Sequence, residues 1–150
     1  MKKLVAIIAA ALVTVCVMAL AGCGGGATTA NLNFGSITLQ GKTLTVALEA
    51  NQTTGYEWTG TVEGAGIEAT SDTYEEDAHD GDTTGVGGTH TFVYAGTGAG
   101  EATITLNYQR SWETTDDDLW LTITVATDGS GNITSYQADA SDGGSASYKG

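Results

Sequence analysis

The 150-residue chain has no proline, two cysteines and five basic residues. Without proline no turn has its φ pre-set by a ring, so turns must be built from glycine, asparagine and aspartate. The 22 glycines, about twice the ~7% of average usage, fit that need. The two cysteines, Cys16 and Cys23, both lie near the N-terminus. Beyond them there is no thiol, which excludes a disulfide, a thiolate nucleophile and a cysteine zinc site, so an apolar core must hold the fold. After Gly22 only Lys42, Arg110 and Lys149 remain against all 18 acidic residues, a formal net charge of −15. Nucleic acid is thereby excluded as a partner, because gripping phosphates needs a basic surface. The same charge speeds encounters with basic proteins and slows those with acidic ones. Also missing are a G-x-S-x-G elbow and an H-E-x-x-H helix, and the carboxylates fall in solvated runs. The chain therefore reads as a non-enzyme that acts without a cofactor or a metal.

What is present begins with Lys2 and Lys3, followed by an apolar run over residues 4–20 that closes on Ala21 and Gly22. That is the pattern of a secretory signal peptide. A retained transmembrane helix is the alternative, opposed by Thr14 and by the absence of a basic stop-transfer flank. The tetrad Leu20, Ala21, Gly22, Cys23 resembles the lipobox of bacterial lipoproteins. That resemblance implies cleavage before Cys23, lipidation of its sulfur and anchorage in the cell envelope outside the cytoplasmic membrane. Each buried methylene adds about 0.8 kcal/mol, so two or more acyl chains bind stably. The expected organisation is a signal peptide at 1–22, a flexible tether at 23–30, one folded domain at 31–138 and a disordered tail at 139–150.

Period-two alternation dominates after residue 30. In residues 43–49, Leu44, Val46 and Leu48 share one face and the threonines the other. The same pattern turns Ala102, Ile104, Leu106 and Tyr108 inward, then Leu119, Leu121, Ile123 and Val125. Weaker strands are predicted at 37–39, 57–62, 67–74 and 89–95, and no helical period occurs. About seven short antiparallel strands rich in β-branched residues predict an all-β, immunoglobulin-like β-sandwich, with a small open barrel as the alternative. An extra hairpin is predicted around residues 128–132.

In a sandwich of that order three connections emerge at one end. Here they read "NQTTGYEW" from Asn51, "GVGGTHTF" from Gly85 and "YQRSWE" from Tyr108. Together they resemble the loops of the chagasin-like inhibitors of papain-type cysteine proteases, which carry N-P-T-T-G-Y-x-W, G-x-G-G and R-P-W in that order. The matching positions are Asn51, Thr53, Thr54, Gly55, Tyr56 and Trp58; Gly85, Gly87 and Gly88; Arg110 and Trp112. The resemblance runs over roughly residues 35–125. It implies a monomeric, reversible inhibitor whose first loop enters the protease cleft over the catalytic Cys-His pair while the other two grip its sides. On that basis Gly55 with Thr53 and Thr54 would allow close backbone approach, and Tyr56 and Trp58 would anchor the loop base. Trp112 would be the energetic anchor and Arg110 a polar contact, with the glycines forming a flat backbone surface.

Gln52 and Ser111 stand where that family has prolines. Each loss frees the unbound loop by roughly 0.4–1 kcal/mol, so inhibition is expected to be about tenfold weaker rather than lost. Other readings attach to single residues. Trp58 suits core packing, since such sandwiches bury a tryptophan at that place. Trp120 falls on the outward face of its strand, either covered by an edge loop or extending the surface near Trp112. The acidic run 72–82 reads as a solvated loop, because Thr91 stands where a calcium loop needs its closing glutamate. His79 and His90 suit structural roles. The rival function is a passive immunoglobulin-like adhesion or ligand-binding lipoprotein, which does not need Gly55, Gly87 and Trp112 on one edge.

Overall fold

The computed structural model describes residues 26–150, so the expected signal peptide and the lipidated Cys23 lie outside the described residues. Among these described residues, alternating apolar and polar residues build ten strands in two sheets. The first sheet runs β1 (Thr28–Leu32), β2 (Gly35–Gln40), β3 (Thr43–Ala50), β6 (Gly88–Gly96) and β5 (Ile67–Glu76). The second runs β10 (Ser145–Lys149), β9 (Ile133–Ala140), β8 (Leu119–Thr127), β7 (Gly100–Gln109) and β4 (Glu57–Gly64). Every pairing is antiparallel. Two separate sheets face to face make a sandwich, and the expected immunoglobulin-like class holds against the open barrel.

The inward faces carry the residues that the alternation marked. Leu44, Val46 and Leu48 of β3, Ile104 and Leu106 of β7, and Leu121 and Ile123 of β8 are completely buried. Each contributes about 1.5–3 kcal/mol through removal of apolar surface from water. His90 also faces inward, stacked on Phe92 with ring centroids 4.4 Å apart and its Nε2 paired with the Asp72 carboxylate. His79 is exposed, its Nδ1 within hydrogen-bond reach of the Asp77 carbonyl. Among the described residues no group of three or more metal-ligand side chains occurs.

The seven expected strands are β2 to β8, and two parts of the sequence reading need correction. Residues 28–30, expected in the flexible tether, already belong to β1, paired with β2 from Thr28↔Leu39 to Leu32↔Gly35. The tail at 139–150, expected to be disordered, completes β9 and forms β10. Its alternation uses alanine and serine, too small to register as a strand pattern, yet Ala140 is buried and the Tyr148 ring stacks at 6.2 Å on the buried Tyr136 of β9. The expected hairpin is present, with the Asp128 carboxylate accepting from the backbone N–H groups of Ser130 and Asn132. Tyr148→Ala is expected to lower stability by about 1–2 kcal/mol by removing that aromatic pair. A urea melt checks this: an unchanged midpoint would mean β10 contributes nothing.

Candidate functional site

Antiparallel register puts one set of connections at one end of the sandwich. β3 ends at Ala50 opposite Gly88, the first residue of β6, and Gly88 also pairs with Glu76, the last of β5. In the second sheet Glu57, which opens β4, pairs with Gln109, which ends β7. The two sheets are tied at this end, where the Asn51 N–H donates to the Tyr108 hydroxyl (2.8 Å) and the Trp58 indole N–H to the Glu49 carbonyl (2.9 Å). The β3–β4, β5–β6 and β7–β8 loops therefore share one rim.

The first loop is a short 3-10 turn, Gln52–Thr54, capped at both ends. The Asn51 side chain accepts from the Thr53 N–H at 3.2 Å, and Gly55 closes the turn in the left-handed region with φ 83° and ψ −3°. That conformation costs a residue with a Cβ about 1–2 kcal/mol. A Cβ on Gly55 would also lie 2.5 Å from Cη2 of Trp112, so the indole of the third loop occupies the space the glycine leaves.

Further contacts lock the three loops together. The Asn51 side-chain amide donates to the Gly85 carbonyl at 3.1 Å, joining the first loop to the second. Arg110 joins the first to the third: its Nε donates to the Thr54 carbonyl at 3.0 Å, and its guanidinium carbon sits 4.6 Å from the centre of the Tyr56 ring. The hydrogen bond from Arg110 to Glu113 raises the guanidinium pKa further above its ordinary value. Arg110 and Glu113 also form a β-bridge, which thrusts Ser111 and Trp112 out as the apex of a tight turn. Trp112 is 68% exposed, the largest exposure of any large apolar side chain among the described residues.

Beneath the rim lies an aromatic stack. Tyr56 packs against Tyr108 at 5.2 Å, Tyr108 against Trp58 at 5.1 Å, and Trp58 against Phe34 at 5.6 Å. The Tyr56 hydroxyl bonds the Thr115 hydroxyl, which in turn donates to the Asp118 carboxylate at 3.1 Å. Trp58 is 2% exposed and belongs to the core, as its strand position suggested.

The residues expected at the site thus divide into two groups. Thr53, Thr54, Gly55, Gly85, Gly87, Arg110 and Trp112 reach the rim surface, with Asn51 half-buried as the brace between loops. Tyr56 and Gly88 are buried and support that surface from below. Gly88 sits where a Cβ would meet the Tyr74 ring at 2.8 Å, so it opens β6 instead of presenting backbone outward. Trp120 is 44% exposed at the rim end of β8, its backbone carbonyl accepting from the Ser141 N–H at 3.0 Å. Sequence reasoning did not assign the bracing roles of Tyr108, Glu113, Thr115 and Phe34. Tyr108 was legible as inward-facing, but its hydroxyl's hold on Asn51 depends on sheet-to-sheet distance.

Gln52 occupies the first position of the 3-10 turn after an extended Asn51 (φ −142°, ψ 90°). Both settings suit proline: the first helical N–H needs no partner, and an extended residue must precede the ring. Gln52→Pro is expected to stiffen the loop and raise stability by about 0.4–1 kcal/mol, measured as the urea unfolding midpoint. A lower midpoint would mean the loop departs from this turn.

The chain matches the family described as "Chagasin family peptidase inhibitor I42" over residues 38–125, which include all three loops. Among solved structures it is similar to the solution structure of amebosin, at 31% identity over 57% of this chain and 80% of that one, with a TM-score of 0.45. It is also similar to the crystal structure of the cysteine protease inhibitor EhICP2 from Entamoeba histolytica, at 26% identity over 48% of this chain and 65% of that one, with a TM-score of 0.38. No curated protein sequence matches. Since the family match spans more than half of the chain and takes in the whole rim, this protein belongs to the chagasin family of peptidase inhibitors.

Proposed function

We propose that the protein is a reversible inhibitor of papain-like cysteine peptidases whose rim enters the active-site cleft. The first loop covers the catalytic thiol, and the glycine loop and the Trp112 turn rest on either side. The observation that carries this reading is the mutual locking of the loops through Asn51 to Gly85, Thr54 to Arg110 and Gly55 to Trp112. A ridge ordered before binding loses less entropy on docking. A passive adhesion module needs no such lock.

The loop's hydrogen bonds also account for inhibition without cleavage. A peptidase needs an extended strand with a free scissile carbonyl positioned for attack. Here the Asn51 carbonyl accepts from Thr54, the Gln52 carbonyl from Gly55 and the Thr54 carbonyl from Arg110. The curled, internally bonded tip is a poor substrate. In the same reading the domain is monomeric, needs no cofactor, and is held outside the cytoplasmic membrane by lipid on Cys23.

Titrating papain with the purified protein, with hydrolysis of a fluorogenic peptide as readout, tests the proposal. Complete, competitive and reversible loss of activity is expected. Full activity at micromolar protein would put the adhesion reading ahead.

A further inference from the structure

The charge of this molecule is distributed unevenly between the ends of the sandwich. At the rim, residues 77–87 and 110–118 hold Asp77, Asp80, Asp82, Glu113 and Asp116 to Asp118 against Arg110 alone, while the 51–56 tip between them has no charge. The turns at the far end, 41–42, 65–66, 97–99 and 128–132, hold only Lys42 and Asp128, which cancel. The rim loops therefore carry a formal net charge of −6 and the far turns none, while the strand ends beside the far turns add only Glu63, Glu68 and Glu101 against Lys149.

Two features bear on what this charge faces. The apex residue Trp112 is uncharged and exposed, a contact for a macromolecule rather than for an ion. The side chains of Asp80, Asp82, Asp116 and Asp117 make no hydrogen bond or ion pair among the described residues, so their charge is not consumed in holding the fold. A neutral wedge inside an acidic collar is the complement of a neutral cleft with basic borders, and such complementarity acts mainly on association rate.

We infer that the rim is built for a cysteine peptidase whose cleft is flanked by basic side chains, and that the acidic collar draws the two together. The inference rests on the inhibitor reading above and adds the electrostatic class of the partner. The collar orients the approach: a basic partner meets the rim end of the sandwich first, with Trp112 and Gly55 leading. Electrostatic steering of this kind raises on-rates by about 10- to 1000-fold at low ionic strength and fades as salt screens it.

The test uses stopped-flow inhibition of papain in two forms, native and with its lysines succinylated, which turns ammonium groups into carboxylates. Three proteins are compared: wild type, the rim triple variant Asp80→Asn, Asp116→Asn, Asp117→Asn, and a far-end triple variant Glu63→Gln, Glu68→Gln, Glu101→Gln of equal charge change. Wild type is expected to associate about tenfold or more faster with native papain than with the succinylated form at low ionic strength. The rim variant should narrow that ratio to about threefold or less, the far-end variant should leave it within about twofold of wild type, and dissociation rates should hardly change. Equal narrowing by both variants, or equal wild-type rates with both papain forms, would overturn the inference while leaving the inhibitor intact. Absence of inhibition of native papain would overturn the inhibitor reading and this inference with it.

Discussion

Gly55→Glu is expected to weaken inhibition of papain by about 10²- to 10³-fold, from three effects acting at one atom position. The φ of 83° costs any residue with a Cβ about 1–2 kcal/mol. The new Cβ falls 2.5 Å from the Trp112 ring, so either the 3-10 turn or the indole must move. Displacing an interface anchor costs about 2 kcal/mol or more, and together the effects reach about 3–4 kcal/mol in affinity. The carboxylate, carried into a closed cleft, adds to that. Folding should survive, since Gly55 lies outside the core, so thermal melting and inhibition measured on one preparation separate the effects. Unchanged inhibition with an intact melt would mean that the first loop does not enter the cleft.

Trp112→Ala is expected to raise the inhibition constant by about 30- to 1000-fold, the 2–4 kcal/mol typical of an aromatic anchor at the centre of an interface. At 68% exposure the indole buries little in the free protein, so the unfolding midpoint in urea should barely move. It does lie against Gly55, and its removal also frees the tip of the first loop. Trp112→Phe should recover part of the affinity, because a smaller ring on the same apex keeps some contact area. The outcome that would contradict the account is equal loss of stability and inhibition, which would make Trp112 a folding residue.

Much of this was legible in the residues, for physical reasons that differ between the parts. The core strands were readable because Leu44, Val46, Leu48 and their counterparts in β7 and β8 alternate with threonine, and one buried face imposes period two. The rim was readable because "NQTTGYEW", "GVGG" and "RSW" fall between strands whose antiparallel order sends those connections to one end. β1 and β10 were not readable. Their inward residues are alanine, leucine and tyrosine spaced among serine, threonine and asparagine, and only pairing with β2 and β9 gives them a partner to bury against. Nor could sequence separate Gly88 from Gly85. One is buried against Tyr74 and the other exposed at φ 75°, a distinction made by register.

The charge polarity was half legible. A net charge of −15 after Gly22 was plain from composition, and a preference for basic partners followed from it. Its concentration around the loops needed the topology, which brings residues 77–87 and 110–118 to one end and sends Lys42 and Lys149 to the other.

The most direct test of the central claim is the rate at which iodoacetamide alkylates the active-site thiol of papain in the presence of excess purified protein. If the rim seats the Thr54–Gly55 tip over that thiol, alkylation should slow in proportion to the fraction of papain bound. Gly55→Glu should restore the rate seen with papain alone. Alkylation at the uninhibited rate while peptide hydrolysis is blocked would show that the protein acts away from the catalytic cysteine, and would contradict the account.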